Sequence, residues 1–167
     1  GRGDHVRSAG NRVKGMPSAF LNNNRNKRSI TIDLKTKRGR EILFELVDDA
    51  DVFVQNFRPG VAERMGIGEE VLRSLVPDII YVSISGFGEK GPYAERPAYD
   101  PIIQALCGLA SVQGGGDDER PRLVRTILPD KLTAFTAAQA ITAALLARAN
   151  TGRGQHVRLS MLDTLIA

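Results

Sequence analysis

The chain has little of what disulfide or metal chemistry requires. Its 167 residues include one cysteine, Cys107, and two histidines, His5 and His156, so no intrachain disulfide can form and no Cys/His set has zinc spacing. Tryptophan is absent, while 42% hydrophobic and 25% charged residues are ordinary for a globular protein. A chain of this length can bury a core unaided. We expect one domain, no metal site, an inert Cys107 and a cytoplasmic location.

Long hydrophobic runs are also missing. The uncharged run Leu132 to Ala147, which no other uncharged run exceeds in length, is shorter than a membrane span, so it predicts a buried helix and no entry into a membrane. The first residues include no apolar signal region. The chain does not begin with Met, and it stops at residues 165–167 within an apolar helical pattern. We therefore expect it to be part of a longer protein.

Positive charge concentrates near the start of the chain. Residues 1–40 hold eleven Lys and Arg against Asp4 and Asp33, a balance of +9, whereas the rest carries −5 of a net charge of +4. This pattern predicts an anionic ligand, although a solvated basic face would produce it too. Within residues 1–40 the only aromatic that could stack a base is Phe20, and no nucleic-acid-binding motif is present. Nucleic acid is therefore not expected, and a phosphorylated small molecule is at least as good a candidate.

The hydrophobic pattern predicts strands that alternate with helices. The predicted strands are residues 28–34, 51–56, 79–84 and 155–160. The predicted helices are residues 36–50, 61–65, 69–75, 100–112, 130–149 and 161–167, with a short helical turn near 17–22 and a mobile link at 113–117. Strands joined by helices at this spacing form a right-handed parallel layer. The predicted class is α/β, a Rossmann-like parallel sheet with flanking helices.

Two loops follow predicted parallel strands, at the edge where open α/β sheets bind ligands. Asn56–Gly60 is either a plain turn or a contact for phosphate or adenine. Gly86–Gly91 matches G-x-G-x-x-G, but Pro92 and Pro97 follow where the dinucleotide-binding motif requires a helix. We interpret the second loop as a flexible lining of a site, not as an NAD or FAD site.

Asp130 is the residue that the pattern singles out. It follows Pro129 and precedes a long apolar helix, which places it at or beside the helix N-cap. Plain capping would explain it. If this helix end faces a cleft, the dipole would keep the carboxylate ionised and available as a nucleophile. Tyr99 and Asp100 open the preceding helix, where Asp100 as N-cap before Pro101 is the plain alternative.

Several segments together carry a family resemblance. They are Asn24–Lys35, Ala50–Gly60, Tyr81–Gly88 with Gly91–Tyr93, Arg96–Asp100, and Thr151–Gln155 leading to Ser160–Asp163. In this order they resemble the family III CoA-transferases, the group of formyl-CoA:oxalate and carnitine CoA-transferases and 2-methylacyl-CoA racemases. The resemblance implies that residues 1–167 are part of a CoA-binding and catalytic Rossmann-like domain. The family's N-terminal strand and C-terminal half would then be missing from the chain.

The resemblance also implies site residues and a reaction. The family's catalytic aspartate maps onto Asp130. Its CoA contacts map onto Ile32, Asp33, Leu34, Lys35, Asn56, Phe57, Arg58, Arg64, Pro97, Ala98, Tyr99 and Asp100. Coenzyme A, as acyl-CoA, would be the co-substrate, and its phosphates would be the anion that the charge pattern predicts. Asp130 would attack the thioester, and CoA would pass through an aspartyl thioester to a carboxylic acid acceptor. Tyr99 would line the acyl site, and full-length members are interlocked homodimers.

Two alternatives stay open. The racemases pair their aspartate with a histidine at the position of Tyr99, which gives two bases for moving an α-proton. Tyrosine is a poor base at neutral pH, so its presence favours the transferase. A non-catalytic CoA-binding module is the second alternative, and the position of Asp130 argues against it.

Overall fold

A computed structural model of the chain describes residues 3–8, 10, 12–116 and 118–166, in two compact units that divide after Thr31. In the first unit a 3-10 turn (His5–Ser8) precedes a small antiparallel hairpin of β1 (Arg12–Val13) and β2 (Met16–Pro17), and α1 (Ser18–Asn23) follows. The predicted helical turn is confirmed. The hairpin was not predicted, because two-residue strands are too short to show alternation.

The second unit is built on a three-stranded parallel sheet. The strands β3 (Val52–Gln55), β4 (Ile80–Ser85) and β5 (His156–Ser160) lie in the order β3-β4-β5. The helices are α2 (Lys37–Asp48), α3 (Val61–Arg64), α4 (Glu69–Leu75), α5 (Asp100–Leu106), α6 (Leu109–Gly114), α7 (Leu128–Thr151) and α8 (Met161–Ile166). In register, Tyr81 of β4 lies between Phe53 of β3 and His156 of β5. The predicted α/β class is confirmed.

The two faces of the sheet bury different cores. On one face, Tyr81 packs with Val47 of α2 and Leu72 of α4. On the other face, Val82 packs with Ala144 of α7. Side chains alternate along a strand, so these neighbouring residues of β4 serve opposite cores. Burial on both faces explains the nearly continuous apolar sequence of β4.

The strand predicted at residues 28–34 is wrong. This segment is irregular, and the side chain of Ile30 is 62% exposed. β-branched residues favour a strand where a half-buried pleated surface receives them, and within the described chain this segment has no ladder partner. Asp33 at its end forms a local turn with Thr36, whose N–H donates to the Asp33 carbonyl oxygen at 3.1 Å.

The helix predicted at residues 100–112 is two helices, α5 and α6. Gly108 between them has a φ of 82°, a left-handed conformation that interrupts the helix and that glycine tolerates best. Cys107, just before the break, is a half-buried free thiol. Of the predicted mobile link, residues 113 and 114 belong to α6, and Asp117 lies outside the described residues.

The long helix α7 packs by one side only, so the prediction that it is buried is wrong for much of its surface. Thr133, Ala137 and Ala144 are buried, whereas Phe135 is 73% and Leu146 is 65% exposed. With 24 residues and an 18-residue window whose mean hydropathy is 1.3, α7 meets the length and composition of a membrane span, a test that core helices of soluble proteins also pass. It packs against β4, β5, α5 and α8.

Candidate active site

The topology brings several predicted site segments to one edge of the sheet. Asn56 follows β3 and Gly86 follows β4, so both lie at the carboxyl ends of parallel strands. Arg148, near the end of α7, donates to the carbonyl oxygens of Asp51 and Asp78 at 3.4 Å each, just before β3 and β4 begin. The opposite end of α7, which holds Asp130, therefore points toward the carboxyl edge.

Asp130 lies in the first turn of α7 and is not its cap. The N-cap is Ile127, which makes no side-chain capping bond. The carboxylate of Asp100 supplies an acceptor from another helix, because its Oδ2 receives the backbone N–H of Asp130 at 3.2 Å. The plain capping role considered for Asp100 is wrong in the same way, since Tyr99 is the N-cap of α5. The side chain of Asp100 thus holds α7 instead of its own helix.

The electrostatic surroundings of Asp130 differ from the sequence-based expectation. Partial burial and then the negative charge of Asp100 raise the pKa of Asp130, while the neighbouring Lys131 opposes them. The sequence pattern predicted the opposite direction, a carboxylate kept ionised by the helix dipole. Part of the side chain stays exposed, so a substrate can reach it. A partly desolvated carboxylate is more reactive toward a carbonyl carbon than a fully hydrated one.

Behind this pair lies Gln104, a residue that the sequence analysis missed. Gln104 is 1% exposed, and its Nε2 donates to Oδ1 of Asp100 at 2.6 Å. Its Oε1 accepts the backbone N–H of Val124 at 2.8 Å, and its Nε2 also reaches the carbonyl oxygen of Thr126 at 3.2 Å. A sequence signal existed, because Asp100 and Gln104 are polar residues four apart on a helix that packs on apolar neighbours.

The predicted stretch Pro97–Asp100 lies against the loop after β4. A Cβ added to Gly86 would overlap the Cβ of Ala98, so the close approach of the two segments requires glycine at this position. Tyr99 is 68% exposed, and Asp100 is buried. The structure therefore presents the Tyr99 ring to solvent beside the buried carboxylate that contacts the backbone of Asp130.

The predicted residues Ile32, Asp33, Leu34 and Lys35 form a turn that leads into α2. The Oδ1 atom of Asp33 accepts the N–H of Lys35 at 3.0 Å, and Arg40 donates to the carbonyl oxygens of Leu34 and Lys35 at 3.2 Å each. Thr36 is the N-cap of α2, and its side-chain oxygen accepts the N–H of Gly39 at 2.9 Å. A Cβ on Gly39 would overlap the Asp33 carbonyl oxygen, so the turn packs directly on the helix backbone.

Three of the other predicted CoA contacts, Phe57, Arg58 and Arg64, border two cavities. The backbone N–H of Phe57 donates to Oε1 of Gln55 at 2.8 Å, which fixes the chain as it leaves β3. Phe57 and Arg58 line a cavity of about 930 Å³, whereas Arg64 lines a second cavity of about 530 Å³. Asn56 and Arg58 have exposed side chains, so both are accessible to an anion.

The larger cavity also has a polar wall that sequence reasoning missed. Gln55 donates to Oγ of Ser83 at 3.1 Å, and that oxygen lies 2.8 Å from Nε2 of His156. Nδ1 of His156 lies 4.0 Å from a carboxylate oxygen of Glu69. Burial and then the charge of Arg158 lower the pKa of His156. Alternation along three aligned strands would have placed these residues on one face, but their register was unknown from the sequence.

The predicted residues therefore fall into separate groups. The structure brings Asp100 to Asp130, and it places Phe57 and Arg58 on one cavity. Among the described residues, neither Asp130 nor the turn Ile32–Lys35 lines either of the two cavities. No group of three or more His, Cys, Asp and Glu among the same residues could hold a metal ion. The expectation of a metal-free site stays a prediction.

Known proteins share both the sequence and the fold. The chain is 46% identical over 145 residues to an acyl-CoA transferase of Fusarium pseudograminearum, covering 86% of this chain and 31% of that protein. It is 41% identical over 167 residues to an acetyl-CoA:oxalate CoA-transferase of Acetobacter aceti, covering 100% of this chain and 43% of the relative. The chain thus spans less than half the length of these relatives.

A solved structure extends the agreement to three dimensions. A CAIB/BAIF family protein from Brucella suis superimposes with a TM-score of 0.89 at 39% identity, over 98% of this chain and 44% of that one. The sequence pattern of CoA-transferase family III matches residues 1–167. By sequence and by fold, this chain belongs to CoA-transferase family III.

Proposed function

We propose that this chain is the CoA-binding and nucleophile-bearing part of an enzyme that transfers CoA from an acyl-CoA to a carboxylic acid. The observation that carries the proposal is Asp130: an accessible carboxylate in the first turn of a long helix, at the end that points toward the carboxyl edge of the sheet, with its pKa raised by burial and by Asp100. A residue that only capped α7 would be expected to accept hydrogen bonds from the free backbone N–H groups of that helix. Here the carboxylate of Asp100 accepts the N–H of Asp130 instead.

The proposed phosphate-binding residues lie on the turn before α2, on the turn after β3 and at the end of α3. Lys35, Arg58 and Arg64 have exposed side chains and would pair with the phosphates of CoA. The turn that carries Lys35 is fixed by Asp33 and Arg40, so it is ordered before any ligand binds. A turn that is already ordered loses less conformational entropy on binding.

The proposed reaction balances without an added proton or oxidant. An oxygen of Asp130 attacks the thioester carbonyl carbon, the C–S bond breaks, and CoA leaves as the thiolate. The thiolate attacks the aspartyl carbonyl of the mixed anhydride, which releases the donor carboxylate and leaves an aspartyl-CoA thioester. The acceptor carboxylate then attacks this thioester, the C–S bond breaks, and CoA leaves as the thiolate from a second mixed anhydride. The thiolate attacks the acceptor's carbonyl carbon in that anhydride, which gives the product acyl-CoA and releases Asp130 as a carboxylate.

Relatives support an acid as the acceptor. Curated relatives include an acetyl-CoA:oxalate CoA-transferase of Acetobacter aceti, described above, and a succinyl-CoA:glutarate CoA-transferase of Mus musculus that is 41% identical over 170 residues. Their names combine an acyl-CoA with a small dicarboxylic acid. We propose a carboxylic acid acceptor for this chain's parent protein. A homodimer, a cytoplasmic location, and the absence of nucleic-acid and membrane partners are further proposals.

Trapping the covalent intermediate tests this function. The full-length protein that contains this chain is incubated with an acyl-CoA, quenched in acid and digested, and the peptide around Asp130 is weighed by mass spectrometry. We expect a CoA adduct on that peptide, and Asp130→Asn should carry none. A protein that transfers CoA at full rate but never shows an adduct at Asp130 would contradict the proposal. Binding of CoA without any transfer to a panel of acids would support the non-catalytic module instead.

A further inference from the structure

The side chain of Gln104 makes hydrogen bonds to Asp100 at the start of α5 and to the linker 124–126 just before α7. Gln104 lies on the second turn of α5 and is 1% exposed. The Asp100 carboxylate that it contacts also accepts a hydrogen bond from the first turn of α7. The bond from its Nε2 to Oδ1 of Asp100 is short, at 2.6 Å, and Oδ2 of the same carboxylate holds the backbone N–H of Asp130 at 3.2 Å. One amide therefore orients the carboxylate that contacts the proposed nucleophile.

The same amide fixes the linker that enters α7. Its Oε1 accepts the N–H of Val124 at 2.8 Å, and its Nε2 donates to the carbonyl oxygens of Thr126 at 3.2 Å and Val124 at 3.4 Å. Thr126 immediately precedes Ile127, the N-cap of α7, and that cap makes no side-chain bond of its own. Buried amides that satisfy several backbone groups at once are strongly constrained in position. Loss of Gln104 would therefore free both the Asp100 carboxylate and the 124–126 linker, the two groups that position the first turn of α7.

We propose that Gln104 is a positioning residue for the transfer reaction: it orients Asp100 and the 124–126 linker, and through them it sets the position of Asp130. This inference rests on the proposed function of Asp130. The charged groups that act on Asp130 are Asp100 from α5 and Lys131 from α7. With the amide gone, the Asp100 carboxylate can move away, and its repulsion of the Asp130 anion weakens. The acid limb of the rate profile should then move to lower pH.

The experiment compares Gln104→Met with Gln113→Met in the full-length protein. Methionine keeps the length of glutamine but lacks its donors and acceptor, and Gln113 is an exposed glutamine of the adjacent helix α6. For Gln104→Met we expect kcat to fall at least about tenfold, KM for acyl-CoA to stay within about twofold, and the acid limb to shift down, since misplacement of about 1 Å can cost a hundredfold. Gln113→Met should match the wild type.

If Gln104→Met does not fold, Gln104→Asn carries the test, because it keeps the amide but shortens its reach. It should show the same kcat loss and limb shift at smaller size. Loss of activity that tracks thermal stability alone, with an unmoved acid limb, would show a merely structural role and overturn the inference. Full activity of either variant would also overturn it. An active Asp130→Asn protein would instead refute the proposed function, whatever the Gln104 variants show.

Discussion

The turn Ile32–Lys35 and the start of α7 are held in place by opposite means. The turn is stabilised by neighbours within a few residues, Asp33, Thr36 and Arg40, and much of it is exposed. Asp130 is held by bonds that cross from α5, with Asp100 and Gln104 both buried. The first arrangement is local and solvated, while the second is distant in sequence and buried. Changes in the turn should therefore alter binding, whereas changes around Asp130 should alter the chemical step.

The largest effect should come from Asp130 itself. Asp130→Asn keeps the size of the side chain but removes the nucleophilic charge, so the transfer rate should fall by about a thousandfold or more. The dissociation constant for CoA should stay within about twofold, because the phosphate contacts lie on other residues. Initial rates and calorimetric titration measure the two quantities. Asp48→Asn, an exposed aspartate at the end of α2, is the matched control. Residual activity above about a tenth of wild type would contradict the assignment.

A smaller but more specific effect is expected for Asp100→Asn. The charge of Asp100 raises the pKa of Asp130, so its removal lowers that pKa. Because the anionic form of Asp130 is the proposed nucleophile, the acid limb of the kcat/KM profile should move to lower pH. Loss of orientation should reduce kcat by about tenfold. An acid limb that stays in place or moves to higher pH would show that the two carboxyl groups are not coupled.

The turn offers the converse test at Gly39. Alanine there would overlap the Asp33 carbonyl oxygen and displace the turn that carries Lys35. We expect KM for acyl-CoA to rise by about tenfold while kcat at saturation changes by less than about threefold, because weaker uniform binding affects KM alone. Glu45→Ala, an exposed change on the same helix, should leave both constants unaltered. A kcat loss without a KM change would remove the distinction between the two regions.

The last prediction is that the wild-type protein has no detectable racemase activity. With Tyr99 where a racemase would have histidine, the wild-type protein should exchange no α-proton of a 2-methylacyl-CoA in deuterated water. Tyr99→His supplies the missing base. Slow exchange in that variant would show that one substitution is enough to add racemase activity to this site. Proton NMR of the recovered thioester measures both. Rapid exchange by the wild type would favour racemisation over transfer.

The sequence predicted features whose causes are local. The helix predicted at residues 36–50 and the strands predicted at 51–56 and 79–84 each depend on neighbours in the chain, and the structure confirms them as α2, β3 and β4. The segment 28–34 has the same local signal for a strand but lacks a partner in the described chain, so the prediction failed. The bond from Asp100 to Asp130 could not be predicted, because it depends on how α5 and α7 pack. The position of Asp130 at the start of the long helix was enough to identify it from the sequence. The contact of its backbone with Asp100 could be identified only from the structure.

The pairing of Tyr81 with His156 has a consequence for the order in which the protein folds. The two strands that meet there enclose α5, α6 and α7, and so the whole segment that carries Asp100, Gln104 and Asp130. Parallel strands so far apart in sequence must close a long loop before their ladder forms, which costs entropy and is slow. During synthesis β5 leaves the ribosome after all three helices. The turn before α2 can therefore form early, while the surroundings of Asp130 form only when β5 joins the sheet.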